Sequence, residues 1–429
     1  MPAESNTIFA LSSGSPPAAI GVVRVSGPEA GPALKALAGL LPPPRVAAVR
    51  WLSRPDTGQR LDRALLLWFP GPQSATGEDV AELHLHGGKA VVAAVLDALA
   101  GLKGLRHAEA GEFTRRALAN GVMDLAEAEG LGDLLTAETE AQRRNALALA
   151  GGVLSRKVEK WRQSIVEASA RLEAILDFGD EADVLEDDGT VRAIVDEVGR
   201  EMEDLLATPP AERLKDGVRV VLAGPPNAGK STLLNALAGR DVAIVTDIPG
   251  TTRDLIEAPV AMAGQSVLLI DTAGLREGDN AVERIGIDRA QAAVAAADIL
   301  LWLGDPAETP DVGGTIIKIA ARCDDRKVQG PFDLAVSAIS GEGMTALRQL
   351  LMRHILMLLP RESELAINVR QRQALSDALD GLALGRGSDD ILLLGEGLRL
   401  ARAALDRITG RAGIEDVLDN LFRRFCIGK

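Results

Sequence analysis

Apolar and polar positions alternate differently in successive parts of the chain, and each pattern predicts its own kind of structure. Up to about residue 119, short apolar runs such as Ile20 to Val25, Ala64 to Trp68 and Val80 to Leu85 alternate with Ala/Leu-rich stretches such as Ala90 to Leu99. Apolar runs of that length indicate buried strands, and the stretches between them indicate helices. Residues 1–119 are therefore predicted to form a small N-terminal α/β domain.

Beyond that point the apolar residues recur every three or four positions, which is the period of an amphipathic helix. The same period returns after about residue 359, from Leu365 to Leu384 and from Asp390 to Ile408. Residues 120–212 and 359–429 are therefore predicted to be two parts of one helical domain. The longest helical series consists of Val158, Trp161, Ile165, Ala168, Leu172 and Ile175.

A second α/β pattern separates the two helical parts. It begins with Val218 to Leu222, an apolar strand of the buried parallel type, which follows a polar Pro-Pro stretch. Strands and helices are predicted to alternate from there to about Leu359. Residues 213–358 are therefore predicted to form an α/β domain inserted into the helical one.

Composition and charge limit the classes of function. Hydrophobic residues make up 47% and charged residues 25% of the chain, as in ordinary globular proteins. The net charge of −14 disfavours a general electrostatic grip on nucleic-acid phosphates, so an RNA partner must meet a local basic patch or a second protein. No apolar stretch predicts a transmembrane helix, and the first residues lack a signal-peptide pattern. We expect a cytoplasmic protein without a membrane partner.

A phosphate-binding motif directly follows the strand at Val218 to Leu222. Residues 224–232 are Gly-Pro-Pro-Asn-Ala-Gly-Lys-Ser-Thr, which matches G-x-x-x-x-G-K-[ST] between a predicted strand and a predicted helix. The glycines let backbone N–H groups turn towards phosphate oxygens, and the helix N-terminus favours negative charge. We expect Lys230 to contact the β- and γ-phosphates and the Ser231 hydroxyl to bind Mg²⁺.

Two partner motifs follow in the order that a GTPase requires. The apolar strand from Val267 ends in Asp271-Thr-Ala-Gly274, where Asp271 would support Mg²⁺ and Gly274 would offer its N–H to the γ-phosphate. The segment between the motifs, Thr246 to Asp254, is rich in hydroxyls. A threonine there completes the Mg²⁺ shell only while the γ-phosphate is present. These motifs predict that residues 213–358 form a Ras-like P-loop GTPase domain.

The segment expected to recognise guanine departs from the usual pattern. GTPases of this class use N-K-x-D, because a carboxylate accepts hydrogen bonds from guanine N1–H and the exocyclic amine. Here the sequence is Ala321-Arg-Cys-Asp324, so the aspartate is kept while alanine and arginine replace asparagine and lysine. Ser337 and Ala338 fit the strand-end loop that contacts the base. We expect GTP to be preferred over ATP, with a weaker affinity than a complete motif gives.

Motifs spread along nearly the whole chain resemble those of the MnmE (TrmE) family of tRNA modification GTPases. The fold class that this resemblance implies is multidomain: an N-terminal α/β folate-binding-like domain, a helical domain, and an inserted P-loop α/β GTPase domain. Besides the GTPase motifs, the resemblance rests on Ile20 to Gly27, Thr76 to Glu82, His86 to Gly88, Gly111 to Thr114, Val282 to Ile287 and Phe425 to Lys429.

For the nucleotide site, the resemblance implies potassium-activated hydrolysis of GTP without an arginine finger. A fixed cation near the β- and γ-oxygens offsets the charge that develops in phosphoryl transfer. Glu283 matches the family's glutamate that orients the attacking water, and is the implied catalytic residue. The implied K⁺ ligands are Asn227, Thr246, Ile248 and Thr251, and the implied Mg²⁺ ligands are Ser231 and Thr252. The expected GTP-binding residues are Asn227, Ala228, Gly229, Lys230, Ser231, Thr232, Thr246, Asp247, Ile248, Pro249, Gly250, Thr251, Thr252, Asp271, Thr272, Ala273, Gly274, Asp324, Ser337 and Ala338.

For the N-terminal domain, the resemblance implies a constitutive homodimer that binds 5-formyl- or 5,10-methylene-tetrahydrofolate. The matching positions are Arg24, Glu82 and Lys429; a guanidinium suits the ligand's carboxylates, and Glu82 suits a pterin-like donor edge. The family's lysine in this region falls on Val122, which removes a charge from the site. Cys426 is expected to approach the folate region, where a chemical and a structural role both stay open.

The activity implied by the resemblance is modification of the wobble uridine of certain tRNAs. A carboxymethylaminomethyl or aminomethyl group would be placed on C5, together with an MnmG-type protein that uses FAD and NADH and forms a heterotetramer with this one. A ribosome-assembly GTPase is one alternative, although it would lack the folate-type N-terminal half and the terminal Cys-Ile-Gly-Lys. A nucleotide-binding scaffold without turnover is the other, with Ala321 and Val122 as decayed positions.

Overall fold

The computed structural model describes residues 6–178, 188–239, 256–272, 281–325, 328–386, 390–412, 421 and 428. By its internal contacts the chain divides into two compact units. The first consists of residues 1–132, 150–158 and 406–429, and the second of residues 133–149 and 159–405. The finer division into 1–119, 120–212, 213–358 and 359–429 stays a prediction.

A six-stranded sheet lies at the centre of the first unit. Its strands are β1 (Thr7–Leu11), β2 (Ile20–Ser26), β3 (Ala48–Ser53), β4 (Arg60–Phe69), β5 (Val80–His86) and β6 (Leu105–His107). The strand order is β3-β4-β5-β2-β1-β6, and only the β1–β6 pair is parallel. The apolar runs predicted as strands are therefore confirmed as β2, β4 and β5.

Helices lie on both faces of this sheet: Phe9 faces the core that includes the first two helices, whereas Ile8 and Ala10 pack with Phe113 of the third. They are α1 (Ala30–Ala38), α2 (Lys89–Ala100), α3 (Glu112–Ala119) and α4 (Leu125–Leu135). Alternate residues of β4, Ala64, Leu66 and Trp68, are buried in the core that includes α1 and α2, as the period of two predicts. Gly428 also belongs to this unit, and its backbone approaches the Leu11 carbonyl too closely for any side chain to fit.

The second unit contains a six-stranded, mostly parallel sheet. Its strands are β7 (Val218–Ala223), β8 (Ile256–Met262), β9 (Gln265–Asp271), β10 (Ile299–Trp302), β11 (Thr315–Ala321) and β12 (Leu334–Val336). The order is β12-β11-β10-β7-β9-β8, with β8 antiparallel to β9. The helices around it are α8 (Glu212–Lys215), α9 (Lys230–Ala238), α10 (Ala281–Ala295) and α11 (Met344–Leu358).

The two faces of this sheet are covered unequally. Helices α9 and α11 bury their leucines against one face, while α10 contributes Ala293 and Val294 to a smaller cluster on the other. The predicted alternation of strands and helices is wrong between β10 and β11. Residues 303–314, all described, contain only a short 3-10 helix at Pro306–Glu308. Two prolines and three glycines in this connection prevent a longer helix.

Long helices form the rest of the described chain, and most of their residues belong to the second unit. They are α5 (Glu140–Ala150), α6 (Val153–Phe178), α7 (Asp188–Ala207), α12 (Val369–Arg386) and α13 (Ile391–Thr409). The helix predicted from Leu365 instead begins at Val369, because Asn368 and Gln371 form a reciprocal capping pair that fixes its start. Among the described residues, the helices are all too short or too polar to cross a bilayer.

Candidate functional site

The phosphate-binding loop lies between β7 and α9, in the left-handed backbone conformations that its glycines permit. Gly224 has φ 148° and Gly229 has φ 98°, and a side chain on Gly224 would meet the backbone of Leu303 at 3.0 Å. Asn227 adopts φ 60°, a conformation that asparagine tolerates better than most residues. These left-handed conformations just before the N-terminus of α9 are those with which a phosphate loop turns its N–H groups towards an anion.

Lys230 is buried at the first position of α9, with 6% of its surface exposed. Its ammonium Nζ donates hydrogen bonds to the carbonyl oxygens of Gly224 at 3.0 Å and Pro225 at 2.9 Å. These contacts hold the positive charge over the loop, where it adds to the field of the helix N-terminus.

The Ser231 hydroxyl and the Asp271 carboxylate lie together behind the loop. Ser231 Oγ donates to Asp271 Oδ2 at 2.5 Å, and Asp271 is completely buried at the end of β9. The parallel register that pairs Leu222 with Asp271 brings the two motifs side by side. Hydroxyl and carboxylate oxygens are the ligands that Mg²⁺ prefers, so the pair fits the predicted magnesium site.

A cavity of about 440 Å³ extends from the phosphate loop to the ends of β11 and β12. Asp324 lies at its far end, on the loop after β11, and Ser337 and Ala338 lie on the loop after β12. Sequence reasoning did not include Ile339, which is 81% exposed at the rim, because an isolated apolar residue in a loop carries no signal. The lining residues are Asn227, Ala228, Gly229, Lys230, Ser231, Thr232, Leu233, Ala321, Arg322, Asp324, Val336, Ser337, Ala338 and Ile339.

Arg322 forms part of the cavity wall in an unusual backbone conformation. Its φ is 60°, in the left-handed region that costs free energy for a residue with a long side chain. The guanidinium pairs with Asp325, and the Cγ and Cδ atoms would contact a side chain on Gly229 at 3.6 and 3.8 Å. The aliphatic stem of Arg322 therefore packs near the phosphate loop.

Cys323, the next residue, lies just outside the cavity lining. Burial and the nearby Glu342 carboxylate raise the pKa of its thiol. The thiol is therefore uncharged at neutral pH and a weak nucleophile.

Other predicted nucleotide residues are separated from this cavity or lie outside the described part of the chain. Thr272 directs its hydroxyl to the carbonyl of Leu222 at 2.9 Å, so it braces the sheet rather than lining the cavity. Glu283 belongs to α10, but its side chain lies outside what the structure describes. The predicted residues outside the described ranges are Thr246, Asp247, Ile248, Pro249, Gly250, Thr251, Thr252, Ala273, Gly274, Cys426 and Lys429.

The two predicted folate residues that the structure describes form an ion pair in the first unit. Arg24 Nε and Nη2 donate to Glu82 Oε1 at 3.0 and 2.8 Å, because β2 and β5 pair Arg24 directly with Glu82. His84 Nε2 lies 3.4 Å from Glu82 Oε2, and the Arg24 guanidinium lies 5.8 Å from the centre of the Phe113 ring. The pair presents both donors and an acceptor at a partly exposed surface, which fits a ligand with mixed polar edges.

A buried ion-pair network beside this surface was missed by sequence reasoning. Glu112 accepts hydrogen bonds from Arg106 at 2.6 and 2.8 Å and from Arg116 at 3.1 Å. Arg116 also donates to Glu78 at 3.0 Å. Burial alone would raise the pKa of Glu112, but the hydrogen bonds from Arg106, the Glu109 backbone and Arg116 outweigh it and lower that pKa. Glu112 and Arg116 are four residues apart on α3, but Arg106 precedes that helix and Glu78 is 38 residues from Arg116, so no single helix or strand period indicates the network.

A phosphate loop after a parallel strand, a serine hydroxyl paired with a buried carboxylate, and an aspartate at the far end of the cavity define the class of P-loop GTPases. The family profile described as "MnmE helical domain" matches residues 125–426, and the profile "GTP-binding protein TrmE N-terminus" matches residues 7–122. The chain belongs to the MnmE family of tRNA modification GTPases, and the resemblance stated from its motifs is confirmed.

Curated relatives support the same family along the whole chain. A tRNA modification GTPase MnmE from Rhizorhabdus wittichii is 61% identical over 99% of this chain and 97% of its own length. One from Novosphingobium aromaticivorans is 55% identical over 99% of this chain and 100% of its own length. Among solved structures, Era in complex with MgGDPNP and 16S ribosomal RNA nucleotides is 21% identical over 39% of this chain and 67% of that chain. Its TM-score of 0.25 is too low to add to the assignment.

Proposed function

We propose that this chain is a potassium-activated GTP hydrolase that acts, with an FAD- and NADH-dependent MnmG-type partner, on C5 of the wobble uridine of certain tRNAs. One observation carries the hydrolase part: Ser231 and Asp271 are paired beside Lys230 at the N-terminus of α9. This arrangement places oxygen ligands for Mg²⁺ next to a cation for the phosphates, where the phosphate loop meets the end of β9. Membership of the MnmE family supports the tRNA part.

In the proposed reaction, each residue has one role. Lys230 and the loop N–H groups bind the phosphates, and Ser231 with Thr252 binds the magnesium ion. Asn227, with Thr246, Ile248 and Thr251, holds the potassium ion that supplies positive charge in place of an arginine finger. Glu283 orients the attacking water, through one intervening water where needed. Asp324 accepts guanine N1–H and the 2-amino group, while Ser337 and Ala338 contact the base edge.

Hydrolysis rates in potassium and sodium test the first part of the proposal. We expect GTP turnover to be at least about tenfold faster in K⁺ than in Na⁺, which corresponds to about 1.4 kcal/mol of transition-state stabilisation. Asn227→Gly keeps the left-handed backbone and removes the amide oxygen, so it should lose the potassium effect while still binding a fluorescent GDP analogue. Equal wild-type rates in the two ions would contradict potassium activation.

The role of Glu283 needs its own measurement. Glu283→Ala should slow GTP hydrolysis by about 10²-fold or more, in the range that positioned acid–base groups contribute, with GTP affinity unchanged. Glu362→Ala is the control, because Glu362 is exposed, pairs with Arg144 and lines neither the nucleotide cavity nor its neighbours. Unchanged turnover in Glu283→Ala would remove this residue from the mechanism.

Nucleoside analysis of tRNA distinguishes the proposal from a ribosome-assembly GTPase. A strain lacking the gene should lose the C5 substituent on the wobble uridine, and the wild-type gene should restore it. A gene carrying Lys230→Ala should fail to restore it, because phosphate binding is lost. Normal tRNA nucleosides in the deletion strain would instead favour the ribosome-assembly alternative.

The first unit is proposed to bind 5-formyl- or 5,10-methylene-tetrahydrofolate and to form the homodimer. The Arg24–Glu82 pair would bind the ligand's polar edges, with Lys429 and Cys426 approaching the same region. Val122 is 43% exposed, so a lysine is sterically acceptable there. Val122→Lys should increase the affinity for 5-formyl-tetrahydrofolate measured by calorimetry, whereas Val46→Lys, at another exposed valine, should not. No gain in Val122→Lys would contradict the placement of the folate site.

A further inference from the structure

We propose that Ala321 opens the guanine pocket into a neighbouring cavity, which is a subsite for substituents at position 7 of guanine. The chain then binds 7-modified guanine nucleotides as well as it binds GTP. This inference rests on the proposed assignment of Asp324 to the Watson–Crick edge of the base.

Two cavities share a wall at this point. The nucleotide cavity of about 440 Å³ adjoins a second cavity of about 360 Å³ that includes Leu303, Gly304 and Phe332 in its lining. Ala228 and Ala321 line both. The Ala321 methyl lies next to the phosphate loop, 4.0 Å from where a side chain on Gly229 would begin. Among the described residues, the shared wall therefore carries the methyl groups of Ala228 and Ala321 and no larger side chain.

The proposed contacts of guanine with Asp324, Ser337 and Ala338 would turn its N7 edge towards this wall. Guanine offers N7 and O6 as hydrogen-bond acceptors on the edge next to N1. With N1–H and the 2-amino group on Asp324 and O6 on the loop of Ser337 and Ala338, N7 is the next acceptor around the ring. It then faces the ends of β11 and β12, where Ala321 pairs with Val336.

The described residues of the shared wall offer N7 no polar side chain. Ala228, Ala321 and Val336 have no side-chain donor, so binding of GTP gains nothing from N7 at these residues. An amide at position 321 would reach into the same space, donate to N7 and separate the two cavities. Ala321 therefore has two consequences: N7 becomes dispensable, and the space beyond it becomes accessible.

Competition against a fluorescent GDP analogue tests both consequences in the wild-type chain. The competitors are GTP, 7-deaza-GTP, which has no N7 acceptor, and 7-aminopropargyl-7-deaza-GTP, which extends into the second cavity. We expect all three to bind within about threefold of one another, because N7 has no side-chain donor to lose at the shared wall. If N7 did accept a hydrogen bond from a neutral donor, losing that bond would cost roughly two- to tenfold in affinity. A loss of fivefold or more with 7-deaza-GTP, or of tenfold or more with the substituted analogue, would overturn the proposal.

Ala321→Asn is the complementary variant, because its side-chain amide should donate a hydrogen bond to guanine N7. It should bind GTP about five- to tenfold more tightly than 7-deaza-GTP and should exclude the aminopropargyl analogue. Val328→Asn adds an amide to the second cavity only and should keep the wild-type ratio of GTP to 7-deaza-GTP. If Ala321→Asn shows the wild-type ratios while its melting temperature is unchanged, Ala321 does not face N7. If it fails to fold, the wild-type comparison still decides the question.

Binding of inosine triphosphate (ITP) tests the assignment of Asp324 to the Watson–Crick edge separately from the role proposed for Ala321. ITP lacks the 2-amino group but keeps N7, so it should bind about tenfold more weakly than GTP when Asp324 accepts that group. Equal binding of ITP and GTP would remove the assignment of Asp324, and with it the stated orientation of the base. Weaker binding of ITP together with a loss for 7-deaza-GTP would keep Asp324 and overturn only the role of Ala321.

Discussion

Glu112 is the central residue of a network of ion pairs in the first unit, and we expect the stability of the chain to depend on it. Its carboxylate is 3% exposed and is held by Arg106 and Arg116. Glu112→Gln should destabilise the chain by about 3 kcal/mol at neutral pH, because it removes the buried anion that pairs with the buried Arg116 and the partly exposed Arg106. Glu109→Gln, at an exposed ion pair with Arg115, should cost less than about 0.5 kcal/mol.

The loss of stability caused by Glu112→Gln should be smaller at acidic pH, because the pKa of Glu112 is lowered in the folded chain. Because the folded-state pKa lies below the ordinary value of 4.5, the carboxylate contributes its full stability above that pH. The contribution is lost as the pH falls through the lowered folded-state pKa. In urea unfolding monitored at several pH values, the difference between wild type and Glu112→Gln should therefore narrow below about pH 4. A constant difference down to about pH 3 would contradict a stabilising charge at this position.

Ser231 gives a second prediction for a single residue. Its hydroxyl is proposed to leave Asp271 and bind Mg²⁺ in the nucleotide complex. Ser231→Ala should raise the Mg²⁺ concentration needed for half-maximal GTP hydrolysis by about tenfold or more, because one oxygen ligand is lost. Ser231→Thr keeps the hydroxyl and should retain the wild-type Mg²⁺ requirement. An unchanged magnesium titration in Ser231→Ala would exclude Ser231 as a ligand.

Among the elements, those specified by local sequence were predicted well. The apolar run Ile20 to Val25 became β2 (Ile20–Ser26), and the predicted helix Ala90 to Leu99 became α2 (Lys89–Ala100). The phosphate loop was predictable because its glycines and its strand and helix are consecutive in sequence. The connection from β10 to β11 was not, because periodicity locates strands but does not specify whether a helix joins them. The stem of Arg322 near Gly229 was likewise unpredictable, since that contact depends on tertiary structure.

The start of α12 provides a test at the scale of an element. Asn368 Oδ1 accepts the Gln371 N–H at 2.8 Å, and Gln371 Oε1 accepts the Asn368 N–H at 3.1 Å. Asn368→Ala should reduce stability by about 1 kcal/mol, measured by urea unfolding, because an N–H of the first turn loses its acceptor. Asn368→Asp keeps that acceptor and should remain close to wild type. Equal stability of Asn368→Ala and wild type would show that the cap contributes nothing.

For the molecule as a whole, net charge leads to a prediction about RNA. With a charge of −14, the isolated chain should bind tRNA more weakly than about 10 μM at physiological salt, and log Kd should change little with log salt. Adding the MnmG-type partner should strengthen retention of tRNA in a filter-binding assay, because the partner is expected to contact most of the phosphates. Tight binding by the isolated chain with a steep salt dependence would reveal a basic surface that the overall charge conceals.

The first unit is built from separate segments of the chain, and this has a consequence for its folding during translation. Residues 406–429 belong with residues 1–132, and Gly428 lies against the strand that begins at Thr7. The ribosome synthesises the whole of the second unit between these two segments. The first unit therefore cannot complete its folding until residues 406–429 have been synthesised. Nascent chains arrested before that point should be more sensitive to protease in the first unit than released chains.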